Sequence, residues 1–112
     1  MNLRCRVWNG EEKAWRDYFY IDAVTGESAF SDKDNYILQQ YIGLKDKSKK
    51  EIFEGDIVKL NWDGETGLAK VVYWKNGFYC ENANGNILGD TVYLFKYCEI
   101  IGNIVENPEL FK

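Results

Sequence analysis

The stretch Glu54-Gly55-Asp56-Ile57-Val58-Lys59-Leu60-Asn61-Trp62 decides how this chain folds. Gly55 supplies backbone freedom and Asp56 is suited to bond local amides in an Asx-type turn, so the chain changes direction there. Beyond the turn, Val58, Leu60 and Trp62 fall on one face and Lys59 and Asn61 on the other. That period of two marks a strand with one side in a core and one in water. The two acids around Gly55 also pose the question of a divalent-ion site. Calcium needs about six or more oxygen ligands, and no regular acidic loop supplies them. Gly43, Glu54, Gly55 and Asp56 are therefore read as structural turn residues.

Working outward, Glu51-Ile52-Phe53 is short and extended, Gly43 to Lys50 forms a corner, and Tyr36 to Ile42 is a strand. Asp63-Gly64 with Gly67 turns the chain into Leu68 to Trp74, and Asn76-Gly77 leads into Phe78 to Glu81. Asn84-Gly85-Asn86 turns it again before Ile87-Leu88. Thr91 to Tyr97 suits either a strand or a short helix. Glu99 to Val105 is a strand whose Gly102 marks a bulge or a close approach. Asn107 and Pro108 have the types of a cap and first residue of a helical turn. At the other end, Leu3 to Trp8 is a strand, Asn9-Gly10 a hairpin signal, Ala14 to Ile21 the antiparallel return, and Ala23 to Lys33 a loop. Turn signals roughly every eight to twelve residues predict an all-β sandwich or barrel. The expected fold is mainly β: a small SH3-like or sandwich-like barrel over residues 36–112, a β-rich N-terminal hairpin segment over 1–35 packed on it, and short helical turns.

Composition narrows the chemistry. The 112 residues contain no histidine and three cysteines, Cys5, Cys80 and Cys98, widely spaced. An odd, dispersed set is not a disulfide framework, and structural zinc wants four ligands with a close pair among them. Buried thiols, no metal and no cofactor are expected. Without histidine, triad hydrolysis and most zinc hydrolysis are lost. Paired-carboxylate chemistry stays formally open with 18 acidic residues, yet those acids sit mostly beside turn residues. A net charge of −4 opposes broad nucleic-acid affinity. No apolar run approaches the length of a membrane span, and Met1 to Arg6 lacks the apolar segment of a secretory signal. A cytoplasmic location, away from membranes, is the expectation.

Two groups of side chains are candidates for an interaction surface. Lys45, Lys47, Lys49 and Lys50 crowd the corner beside Asp46 and Glu51. They suit an anion, but equally a solvated hairpin tip whose charges deter edge pairing, and the second reading is preferred. Tyr73, Trp74, Phe78 and Tyr79 flank a tight hairpin. They suit either cross-strand packing or a stacking platform for single-stranded bases. Val71 and Tyr73 share one face of their strand, and Lys70, Val72 and Trp74 the other. Both sides are thus apolar, and the second must meet a lobe, a ligand or another subunit.

The run QQYIGLKDKSKKEIFEGDIVKL, from Gln39 to Leu60, resembles the central signature of the YopX family of phage and prophage proteins. LRCRVWNGEEKAW near the start is similar to that family's opening strand and hairpin, and CEIIGNIVENPEL near the end to its closing strand and tail. The resemblance implies a predominantly β fold, a phage or prophage origin and a tendency to self-associate. It carries over no catalytic residue. One departure stands out: relatives commonly read Lys-Asn-Gly after the aspartate, whereas Lys47-Ser48-Lys49 stands here. The missing glycine predicts a longer or looser turn.

The reading is a non-enzymatic phage or prophage accessory protein, a homo-oligomeric binding module with a host or phage protein as a further partner. The alternative is a nucleic-acid-binding small β-barrel protein that uses the aromatic hairpin and the lysine corner.

Overall fold

The computed structural model describes residues 2–22, 36–62, 65–74, 77–88 and 95–111. The expected loop at 23–33 and the turn residues Asp63, Gly64 and Asn76 lie outside them. The strands are β1 (Asn2–Asn9), β2 (Ala14–Asp22), β3 (Tyr36–Lys45), β4 (Glu51–Phe53), β5 (Asp56–Trp62), β6 (Glu65–Trp74), β7 (Gly77–Glu81) and β8 (Glu99–Asn103), followed by a 3-10 turn at Pro108–Phe111. They form two four-stranded sheets, ordered β2-β1-β3-β4 and β7-β6-β5-β8. The protein is mainly β, as expected. Among the described residues no helix is long and apolar enough to cross a membrane. The chain divides into Met1–Tyr41 and Ile42–Lys112, so the boundary falls inside β3 rather than between residues 35 and 36.

In the first unit β1 pairs antiparallel with both β2 and β3. Cys5, Val7 and Asn9 are buried, whereas Arg4, Arg6 and Trp8 on the opposite face are only half-buried. The β1–β2 connection runs over residues 10–13. Asn9 Oδ1 accepts N–H bonds from Glu11 (2.9 Å) and Glu12 (3.2 Å), and Lys13 N–H donates to Asn9 C=O at 2.8 Å. The residue with positive φ is Lys13, at 53°. The Asn9-Gly10 signal thus marks the right hairpin, but Asn9 acts through its side chain.

In the second unit one core draws on both sheets: Ile52 from β4, Val58 and Leu60 from β5, Ala69 and Val71 from β6, and Cys80 from β7. Phe95 and Cys98 complete it. Burying each large aliphatic or aromatic side chain contributes about 1.5–3 kcal/mol, and a core shared by two sheets is what a small barrel or sandwich requires. Val58 and Leu60 are buried and Lys59 and Asn61 exposed, so the alternation that opened the reading is realised.

The structure moves several boundaries. β3 continues through Gly43 to Lys45, so the corner is confined to residues 46–50. Gly67 lies within β6 opposite Leu60, and Gly77 is the first residue of β7 opposite Trp74. Cross-strand pairing continues to the very ends of these hairpins and draws in glycines read as turn residues. Of Thr91 to Tyr97, residues 95 and 96 are helical and 91–94 lie outside the described residues.

Gly102 meets both expectations held for it. Ile57 pairs with Gly102 while Val58 pairs with Ile100, which leaves Ile101 as the extra residue of a bulge. A Cβ on Gly102 would stand 2.8 Å from Leu110 Cδ1 and 2.9 Å from Asn107 Oδ1, so the 3-10 turn lies directly on the strand. Asn107 does not cap that turn with its side chain. Its Oδ1 accepts the Asn103 N–H at 3.2 Å, back toward β8.

Candidate functional site

Asp46 builds the lysine corner. Its carboxylate is buried at 4% exposure and accepts three backbone N–H bonds. Oδ1 takes Ser48 (2.8 Å) and Lys50 (2.9 Å) within the loop, and Oδ2 takes Ile100 (3.0 Å) from β8. The backbone closes the same loop through Asp46 N–H to Lys50 C=O and Lys49 N–H to Asp46 C=O, and Lys47 N–H donates to Cys98 C=O at 2.9 Å. The corner is therefore tied to β8 at Ile100 and to Cys98 just before that strand, as well as closed on itself. Sequence reading gave Asp46 no role beyond its place beside the lysines, because nothing local announces its third partner. Lys45, Lys47, Lys49 and Lys50 are all exposed. Lys47 Nζ pairs with Glu99 Oε2 at 3.3 Å. Lys49 has φ of 70°, the backbone conformation that a glycine at that position would adopt without strain. The turn closes within residues 46–50 with lysine at that position, the Lys49 N–H bonded to the Asp46 C=O.

The Glu54-Gly55-Asp56 turn is structural. Gly55 is buried with φ of 92°. Its N–H donates to Val71 C=O (2.8 Å) and its C=O accepts from Ile104 N–H (2.9 Å), so two other segments close on its backbone. Asp56, 1% exposed, accepts Phe53 N–H at 2.8 Å on one oxygen and Asn103 Nδ2 at 3.1 Å on the other. Both oxygens serve amide donors. Gly43 lies in β3 with φ of 88° and belongs to the strand, not the turn. Glu54 is half-buried beside Gly55.

The aromatic hairpin separates by face. Tyr73 opposes Phe78, with ring centroids 5.3 Å apart and planes at 69°, an edge-to-face contact. They continue the face that carries buried Val71 and Cys80, yet Tyr73 is 56% exposed because the strand outruns the core. Tyr79 opposes Val72 on the other face and is half-buried. The side chain of Trp74 lies outside what is described. The exposed ring therefore sits on the core side of β6, beyond the end of the core. The outer face is partly covered by the chain itself. Lys70 pairs with Glu81 at 3.4 Å, and its Nζ lies 5.7 Å from the centre of the Phe111 ring in the C-terminal 3-10 turn.

The lysine corner and the aromatic hairpin are not brought together. The corner is bonded to β8, the aromatics stand on β6 and β7, and β5 runs between β8 and β6.

Sequence reading passed over one further group, in the first unit, and anticipated the buried thiols of the second. In the first unit Arg6 donates through Nε (3.1 Å) and Nη2 (2.9 Å) to Gln39 Oε1 and lies 4.1 Å from the Trp15 ring centre. Trp15 meets Trp8 edge-on at 5.1 Å, and Arg4 lies 5.1 Å from the Tyr41 ring. The Arg-x-Arg-x-Trp alternation of residues 4–8 held that signal. In the second unit Cys80 and Cys98 are fully buried. Burial pushes both thiols up to about 12, with Cys98 as the lesser cause at Cys80 and the Asp46 charge as the lesser cause at Cys98. Burial thus favours the protonated, uncharged thiols at neutral pH.

The family described as YopX protein matches residues 9–112. The chain belongs to the YopX family. Its fold is similar to the crystal structure of protein EF1440 from Enterococcus faecalis, with a TM-score of 0.66 and 26% identity over 100% of this chain and 99% of that one. It is also similar to YopX from Bacillus subtilis, with a TM-score of 0.62 and 20% identity over 100% and 98%. No curated protein matches. YopX membership agrees with the resemblance drawn from the central, opening and closing segments.

Proposed function

We propose that this YopX-family chain is a non-enzymatic binding module that works as a homo-oligomer. Its setting is that of a phage or prophage accessory protein in the cytoplasm of a bacterial host, with a host or phage protein as a further partner. The observation that carries the reading is the Tyr73–Phe78 pair, an aromatic edge that runs past the core with Tyr73 56% exposed. Exposed apolar groups that cluster on a soluble surface mark contact sites, and closed homo-oligomers are the common way to cover them. The non-enzymatic part is supported by the use the fold makes of its reactive groups. Asp46 and Asp56 are committed to backbone and amide donors, and two of the thiols are held protonated.

Light scattering at micromolar concentration tests the reading. The expected mass is a multiple of 13.1 kDa, and Tyr73→Glu should lower it while the circular dichroism spectrum stays that of the parent. A protein that remains monomeric at high concentration would overturn it.

A further inference from the structure

We infer that the lysine corner, together with Lys96 and Tyr97, is a surface for the phosphate groups and bases of a single-stranded nucleic acid. This goes beyond the oligomeric reading and does not depend on it. Lys47 N–H donates to Cys98 C=O, which brings residues 96 and 97 alongside the 46–50 loop, although they are far away in sequence. Lys45, Lys49, Lys50 and Lys96 are exposed, and no carboxylate pairs with them among the described residues. The acid inside the loop, Asp46, is turned inward onto three amides. Lys47 is held by Glu99 in an ion pair 44% exposed on each side, a contact that a phosphate can replace.

Tyr97 is 45% exposed, and the Lys96 ammonium lies 5.6 Å from its ring centre. A cation beside an accessible aromatic face is the combination that single-strand surfaces use, lysine for the backbone and a ring for the base. The backbone adds an independent sign. Residues 82–86 form a turn with the same main-chain bonds as 46–50, and its left-handed position is occupied by Gly85 at φ 84°, whereas the corner places Lys49 there at φ 70°. Strain of this kind gathers at functional positions, and here it keeps a cation at the apex of a pinned loop. Charge complementarity and the ring together select nucleic acid over an acidic protein.

Fluorescence anisotropy with a labelled single-stranded oligonucleotide, roughly 15 nucleotides long, tests this across a salt series. Binding should weaken with salt. Replacing Lys45, Lys49 and Lys50 by glutamine should cost at least tenfold in affinity and flatten the log–log salt slope by about 2, from about 0.7 per lost contact. Lys49→Gly should weaken binding while it raises the melting temperature, which separates the lysine's role from a structural one. Tyr97→Ala should reduce affinity for a base-bearing strand more than for an abasic strand of equal length. Absence of salt-sensitive binding at low salt, or a triple variant that binds like the parent, would overturn the inference. So would tighter binding of labelled polyglutamate than of the oligonucleotide, which would make the partner an acidic protein.

Discussion

Two turns of this molecule share one hydrogen-bond scheme and differ in what the scheme is for. In residues 46–50 and again in 82–86, an Asx Oδ1 accepts the second and fourth following N–H groups. The Asx N–H donates to the fourth C=O, and its C=O accepts the third N–H. In both, the fourth residue has positive φ. The Asn82 turn is a local device: its bonds lie at the surface, and Gly85 relaxes its left-handed position. The Asp46 turn uses the extra oxygen of a carboxylate to take the Ile100 N–H from 54 residues away, and it keeps lysine where glycine is easier. The same local code serves once as a hairpin end and once as a staple between a corner and the edge strand β8.

The largest expected contrast lies at the first residue of each turn. Asp46→Ala strands three amides, one of them on β8, and should cost about 3 kcal/mol in urea unfolding. Asn82→Ala exposes two surface amides to water and should cost about 1 kcal/mol. Equal midpoints for the two variants would erase the distinction. A smaller effect of opposite sign is expected at the fourth residue. A left-handed conformation costs a non-glycine residue about 1–2 kcal/mol, partly offset by glycine's greater freedom when unfolded. Lys49→Gly should therefore stabilise by about 0.5 kcal/mol. Gly85→Ala, with nothing within 4 Å of the added Cβ, should destabilise by about 1 kcal/mol. Differential scanning calorimetry reads both, and the contrast is sharpened if the shifts have opposite signs.

Much of this was legible in the sequence because it is local. The Glu54-Gly55-Asp56 turn, the alternation from Val58 to Asn61 and the Asn84-Gly85-Asn86 hairpin end each follow from residues within a few positions of one another. The role of Asp46 was not legible. A carboxylate among four lysines looks like charge dilution until Ile100 is placed beside it. The missing glycine at Lys49 drew notice, but a closed turn with lysine itself at positive φ was not the expectation. The outer face of β6 looked unpartnered because its cover, Phe111 near Lys70, comes from the far end of the chain. The exposure of Tyr73 on the core side of β6 was not legible, since alternation tells which face a residue takes but not where the core stops.

The claim at the centre of this account is that Asp46 joins the corner to β8 through the Ile100 amide. Native-state hydrogen exchange at that amide tests it most directly. In Asp46→Ala the Ile100 N–H should lose protection together with Ser48 and Lys50, whereas in Asn82→Ala only Asn84 and Asn86 should exchange faster. An Ile100 amide as protected in Asp46→Ala as in the parent would contradict it.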